Sequence, residues 1–312
     1  MKVLLAIDGS DASMSAVAAT AALPLPPGAT VEVVSVIPDS FAPEGAVWPN
    51  VVRVDPPSDH ERIYDDVRRR LLDIADRLRA ADRTVETRVL EGRPATEIVA
   101  EADRFTADLL VMGARGLSTV RRLLLGSVSS EVVDHAPCPV LVARHAAVDR
   151  VLLATDGSPS SNDAVRYVAE SGLFGTSQIR VISIGHTGAP WWVGVTPVDG
   201  MTSIDIYADE AEASERRAIR IADDAAERLG GLQVEGTSAV RDEDVVSAIL
   251  AQAEDHRADV IVLGARSMGT VHRWLVGSVS RSVLHLAQAS VLIVRPRVTP
   301  SIEQEAEWAV PA

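Results

Sequence analysis

Residues 107–130 read ADLLVMGARGLSTVRRLLLGSVSS, and residues 258–281 read ADVIVLGARSMGTVHRWLVGSVSR. These are two copies of one stretch. A second pair agrees with them: LLAIDGSDAS from Leu4 and LLATDGSPSS from Leu152. Partners stand 151 residues apart in the long pair and 148 in the short one. That is a domain length rather than a solenoid period. The chain therefore reads as two tandem domains, residues 1–146 and 147–298, followed by an acidic tail, 299–312.

Each copy alternates apolar runs with amphipathic ones. In the first, strands are expected at Val3–Ile7, Val31–Ile37, Thr84–Leu90, Leu109–Met112 and Val140–Ala143. Helices are expected over Ser13–Ala22, Asp59–Ala81, from Pro94, and over Ser127–His135. The second copy repeats the order, with strands near Val151–Ala154, Ile179–Ile184, Val234–Ala239, Val260–Leu263 and Val291–Val294. Its helices fall near Ser160–Ser171, Asp205–Leu229, Asp244–Asp255 and Ser278–Ala287. Pro38–Ser58 and Gly185–Met201 read as long loops, the latter carrying Trp191 and Trp192. Strands that are apolar on both faces imply cover by helices on both sides. The fold class is therefore α/β: two tandem Rossmann-like domains, each a five-stranded parallel sheet with helices on both faces.

Composition removes several function classes. The formal charge of −14 opposes nucleic acid and anionic lipid. Lys2 is the only lysine, so a Walker A loop and Schiff-base chemistry are both excluded. No G-x-G-x-x-G occurs for a dinucleotide, and no His/Cys cluster has metal-ligand spacing. No apolar run reaches membrane-spanning length, the start does not read as a signal peptide, and the single cysteine, Cys138, suits the cytoplasm. Cys138 between two prolines and the repeated His135 and His285 read as packed or capping residues. Asp242-Glu243-Asp244 reads as a helix-start charge cluster.

In open α/β sheets ligands sit beyond the carboxyl ends of the strands. Two segments of each copy lie there. Asp8 and Asp156 follow the first strand, in an Asp-Gly-Ser that also reads as a turn and cap. Gly113-Ala114-Arg115-Gly116 follows the fourth strand, and Gly126-Ser127-Val128-Ser129 opens the next helix. Glycines let backbone amides approach an anion, and a helix N-terminus offers unpaired N–H groups and partial positive charge. Ser127 and Ser129 add hydroxyls, and Arg115 and its copy Arg266 add cations. Capping without any ligand explains one copy about equally well; recurrence of both segments at matched spacing favours a polyphosphate site.

On these residues each half resembles a universal stress protein domain, and the chain resembles the tandem members of that family. The family pattern is Gly, two residues, Gly, nine residues, Gly-Ser/Thr, met by Gly113, Gly116, Gly126 and Ser127. HAPCPVLVAR from His135 resembles the family's closing helix and strand. The resemblance implies an adenine nucleotide α-hydrolase-like fold and the ATP-binding branch; whether Mg²⁺ accompanies the ATP stays open. It implies contacts to the nucleotide from Ala6, from Asp8 near its ribose or phosphate end and from the backbone near Val36 at adenine, and from Gly113, Arg115, Gly116, Gly126, Ser127, Val128 and Ser129 to ribose and phosphates. The copy would use Ala154, Asp156, Ile184, Gly264, Arg266, Gly277, Ser278, Val279 and Ser280. It departs at Ser267, where the second glycine is missing, so weaker binding by the second half is expected. Arg281, in place of Ser130, reads either as a further cation near the phosphates or as a solvent-facing residue.

The function expected is a stress-response regulatory protein holding one ATP per half, with little or slow hydrolysis, since no general base can be named. A weak ATPase or phosphotransferase, or a ligand-independent interaction module, stands as the alternative. Protein partners are not identifiable. The family's pairing through the last strand implies an intrachain pseudo-dimer of Pro139–Ala143 with Ser290–Val294, and leaves a homodimer open.

Overall fold

A computed structural model of the chain describes residues 1–38, 56–79, 83–114, 125–186, 203–242, 244–265 and 276–295. The first half runs β1 (Lys2–Ala6), α1 (Asp11–Ala22), β2 (Ala29–Ile37), α2 (Pro56–Leu78), β3 (Arg83–Glu91), α3 (Pro94–Arg104), β4 (Leu109–Gly113), α4 (Ser127–His135) and β5 (Val140–Ala143). The second half repeats it as β6 (Arg150–Ala154), α5 (Pro159–Glu170), β7 (Gln178–His186), α6 (Ser203–Arg228), β8 (Gln233–Asp242), α7 (Val245–Asp255), β9 (Val260–Gly264), α8 (Ser278–Leu286) and β10 (Ser290–Val294).

The two five-stranded sheets join into one through the pairing expected of their last strands. The strand order is β3-β2-β1-β4-β5-β10-β9-β6-β7-β8, parallel within each half. The halves join where β5 and β10 pair antiparallel, Leu141 opposite Leu292. An edge strand that is short and wholly buried, as VLVA is, has unpaired backbone groups to satisfy, and its copy satisfies them. One apolar layer lies on the α1, α2, α5 and α6 side, and the other on the α3, α4, α7 and α8 side. Both run across the joint.

Local chemistry sets the helix starts that matter for the site. Ser10 caps α1 by accepting from the Ser13 amide at 3.2 Å, and Ser158 caps α5 through the Ser161 amide at 3.3 Å. Pro94 opens α3 with the backbone angle a first turn needs. Several expected boundaries shift, two of them near the site or its helix starts. The second helix begins at Pro56 rather than Asp59, because prolines are tolerated in a first turn. The Asp242-Glu243-Asp244 cluster splits: Asp242 ends β8, whereas Asp244 caps α7 from outside, accepting from the Val246 amide at 3.1 Å.

Candidate functional site

The turn after the first strand is built the same way twice. Gly9 and Gly157 adopt φ of +82° and +74°, where a side chain is strained, so the chain can reverse directly from strand to helix. The exposed Asp8 is held by Ser10, which donates its amide at 3.0 Å and its hydroxyl at 2.6 Å to one carboxylate oxygen. Asp156 accepts the Ser158 amide at 3.0 Å. Desolvation beside the cavity pushes the Asp156 carboxyl up, but hydrogen bonds from Ser158 and Ser161 outweigh it, and the net direction is down. A fixed carboxylate therefore stands at the carboxyl edge of the sheet in each half.

Gly113 and Gly264 have a different reason to be glycine from the one expected. A Cβ on Gly113 would meet the Ala12 carbonyl oxygen at 2.5 Å, and one on Gly264 would meet the Ser160 oxygen at 2.3 Å. These glycines let the first turns of α1 and α5 lie directly on β4 and β9. They are packing residues first, whatever binds beyond them.

Past the turn, α4 and α8 begin at Gly126 and Gly277, which have no side chain to cap their first-turn amides. By contrast α1, α5 and α7 are each capped by a Ser or Asp. The uncapped ends carry the partial positive charge of the helix and N–H groups directed outward. Ser129 corrects another expectation. Buried at 3% exposure, it donates its hydroxyl to the Gly113 carbonyl at 2.9 Å, and Ser280 does the same to Gly264 at 3.0 Å. Their protons brace turn to helix, while both residues also line the cavities. The Gly126 amide completes the brace in the first half, donating to the Ala114 carbonyl at 2.9 Å. Ser127 and Ser278 are exposed at the helix start.

These pieces border a cavity in each half. The second-half cavity, about 690 Å³, is lined by all the described residues expected there: Ala154, Asp156, Ile184, Gly264, Gly277, Ser278, Val279 and Ser280. The first-half cavity, about 470 Å³, brings together Ala6, Asp8, Val36, Gly113, Val128 and Ser129. Gly126 and Ser127 adjoin it without lining it, because the space leans toward α2, which contributes Ile63, Asp66, Val67 and Arg70. Arg115, Gly116, Arg266 and Ser267 lie outside the described residues, as do Trp191, Trp192 and the acidic tail. Arg281, its side chain part-exposed, pairs with Asp134 of α4.

Sequence reading missed two lining residues on the helix after the third strand, Pro94 and Ile98, and their copies Val245 and Ile249. Their signal was present. Each pair is spaced i, i+4, and each residue stands 151 positions from its partner, so the same face repeats. His135 ends α4 with its Nδ1 2.8 Å from the Glu131 carbonyl, a helix-end position, and Cys138 is buried.

The arrangement defines a class of protein: a paired Rossmann-like fold with two anion-suited helix ends facing cavities of nucleotide size. The family model described as "Universal stress protein family" matches residues 1–144 and again 147–295, and the chain belongs to that family. A universal stress protein of Mycobacterium tuberculosis is 30% identical over 83% of this chain and 86% of its own length. One from Mycolicibacterium smegmatis is 31% identical over 69% of this chain and 70% of its own. The crystal structure of a universal stress protein from Archaeoglobus fulgidus has the same fold, with a TM-score of 0.63 at 24% identity over 94% of this chain and 98% of that one. Among the described residues no helix is long and apolar enough to cross a membrane.

Proposed function

We propose that the chain is an ATP-binding regulatory protein with one adenine-nucleotide site in each of two units, residues 1–146 and 147–298. The observation that carries this is the pair of uncapped helix N-termini, at Gly126 and Gly277, each braced at the rim of a cavity beside a fixed aspartate. Phosphates would take the first-turn amides of α4 and α8 and the hydroxyls of Ser127 and Ser278. Adenine would lie against the apolar wall of Val36 and Ile98, or of Ile184 and Ile249. Asp8 and Asp156 would meet a ribose hydroxyl, or a Mg²⁺ shared with the phosphates. Arg115 and Arg266, Gly116, and the loops after β2 and β7 would complete the sites. The second half, with Ser267, would hold its ligand less tightly. A reducing cytoplasm goes with the single cysteine.

Phosphoryl transfer needs an oriented acceptor and a base. The carboxylate of Asp8 is engaged by Ser10, so slow hydrolysis at most is expected. The test is to release bound small molecules by heating freshly purified protein and to identify them by mass spectrometry, with calorimetric titration for stoichiometry. Two adenine nucleotides per chain are expected. Neither co-purifying nor titratable nucleotide would instead leave a ligand-independent interaction module. Phosphate release faster than about one per minute, lost in Asp8→Ala, would make it an enzyme.

A further inference from the structure

The two cavities differ on one side: α2 lines the first, whereas no residue of α6 lines the second. In the first half Arg70 of α2 lines the cavity and also an adjoining cleft of about 360 Å³ that shares Ile7, Asp8, Ser35 and Val67 with it. Its Nη1 lies 2.9 Å from where a Cβ on Gly9 would stand, so the guanidinium rests over the Asp8-Gly9-Ser10 turn. In the second half that place belongs to Ile221, whose Cγ1 lies 3.2 Å from a Cβ on Gly157. Ile221 follows Arg70 by 151 residues, the offset of the repeat, so the two copies have exchanged a cation for an alkyl group at one position.

Arg70 is exposed, and among the described residues it forms no ion pair or hydrogen bond. On its own helix Asp66, four residues before it, is paired with Arg69, and Asp73, three residues after it, lines the same cleft with no ion pair to it among the described residues. The side chain is therefore available to a ligand. A guanidinium meets phosphate oxygens through charge-assisted, paired hydrogen bonds; an isoleucine offers only apolar surface.

We infer that Arg70 is the residue by which the first site reads the negative charge of its ligand, and that the second site, with Ile221, lacks this discrimination. The inference rests on the nucleotide reading of the cavities. It makes the two sites unequal: the first selects among nucleotides by the length of the phosphate chain, and the second selects less.

The experiment compares single-site proteins. Val279→Phe fills the second cavity and leaves the first; Val128→Phe does the reverse. Calorimetry then gives ATP and AMP affinities. In the Val279→Phe background, Arg70→Ile is expected to lower the ATP:AMP affinity ratio about tenfold at low salt, with Arg70→Lys restoring part of it. The difference shrinks in about 0.5 M salt, because the arginine is exposed to screening. Ile221→Arg in the Val128→Phe background raises the ratio of the second site. Should a phenylalanine impair folding, the same ratios are read as two affinities on the two-site chain with and without Arg70→Ile. Binding with a ratio that Arg70→Ile leaves unchanged overturns the inference alone. No binding of either nucleotide to the unmodified chain overturns it together with the nucleotide reading.

Discussion

Arg281 of α8 grips Asp134 of α4 with both terminal nitrogens, at 3.1 and 2.6 Å from the two carboxylate oxygens. The contact joins the halves and has no mirror image, since the matching positions hold Ser130 and His285. Two other arginines do obey the symmetry. Arg144, after β5, donates to the Leu284 carbonyl at 2.5 Å and the Ala289 carbonyl at 3.2 Å. Arg295, after β10, donates to the carbonyls of Val133 and of Ala136, the latter at 2.9 Å. Each caps the C-terminal end of the other half's helix, where carbonyls lack helical partners and positive charge is favoured. The helices whose N-termini face the cavities are thus held at their far ends by the opposite half.

Burial decides which of these arginines matters for stability. Arg295 is 2% exposed, so Arg295→Ala strands the helix-end carbonyls without solvent and should cost about 2–4 kcal/mol. The Arg281 side chain is 40% exposed, and Arg281→Ala should cost no more than about 1 kcal/mol. Denaturant midpoints at constant slope measure both. Similar losses from the two would show that burial does not govern this joint.

Gly113 offers a test that separates packing from binding. With a carbonyl oxygen 2.5 Å from its would-be Cβ, Gly113→Ala must push α1 off β4, at about 1–3 kcal/mol of stability in ligand-free protein. Gly264→Ala, at 2.3 Å, should behave alike. Gly236, in β8, has nothing within 4 Å of a Cβ and ordinary φ, so Gly236→Ala should stay within about 0.5 kcal/mol. Thermal unfolding without nucleotide reads all three. If Gly113→Ala unfolds like the unmodified chain, ligand approach alone explains the glycine.

Those same residues show what the sequence could and could not convey. The repeat, the order of strands and helices, and the edge on which Asp8, Gly113 and Val128 gather followed from periodicity and spacing, which are local properties. The purpose of Gly113 did not follow, because it depends on a helix that begins a hundred residues earlier in the chain. Ser129 looked like a free hydroxyl until the strand brought the Gly113 carbonyl to it. The antiparallel joining of β5 and β10 was legible only through family resemblance; nothing in VLVA states its partner. Arg281 was read against its own helix, and its partner stands in the other half.

Ser129 and Ser127 should separate in the laboratory for that reason. Ser129→Ala removes a buried brace and should lower stability by about 1 kcal/mol. Ser127→Ala, at an exposed helix start, should leave unfolding unchanged and weaken nucleotide binding only. Paired unfolding and titration curves distinguish the two; a stability loss confined to Ser127→Ala would reverse the roles.

A buried acid pair gives the fold a pH dependence of definite sign. Glu32, in the middle of β2 and 3% exposed, faces Glu101 of α3, with Arg104 and Arg88 beside them. Burial first, then the hydrogen bond and charge of Glu101, push its carboxyl up to about 7 against the opposing pull of the arginines. Its Oε2 has no hydrogen-bond partner as a carboxylate, and protonation lets it donate to Glu101. Between the ordinary glutamate range and pH 7 the folded chain therefore holds a proton that the unfolded chain has released. The stability this contributes is complete below about pH 4.5 and fades as pH rises to about 7, by at most about 3 kcal/mol. Glu101, held below the ordinary range, acts oppositely and only at lower pH: burial raises it, but the hydrogen bonds of Arg104 and Glu32 prevail. Glu32→Gln keeps a donor toward Glu101 and removes the titration. Its melting temperature relative to the unmodified chain should therefore climb from pH 5 to about pH 7 and level off by pH 8. A flat difference across that interval would mean that Glu32 is already ionised throughout, its charge balanced by Arg88 and Arg104.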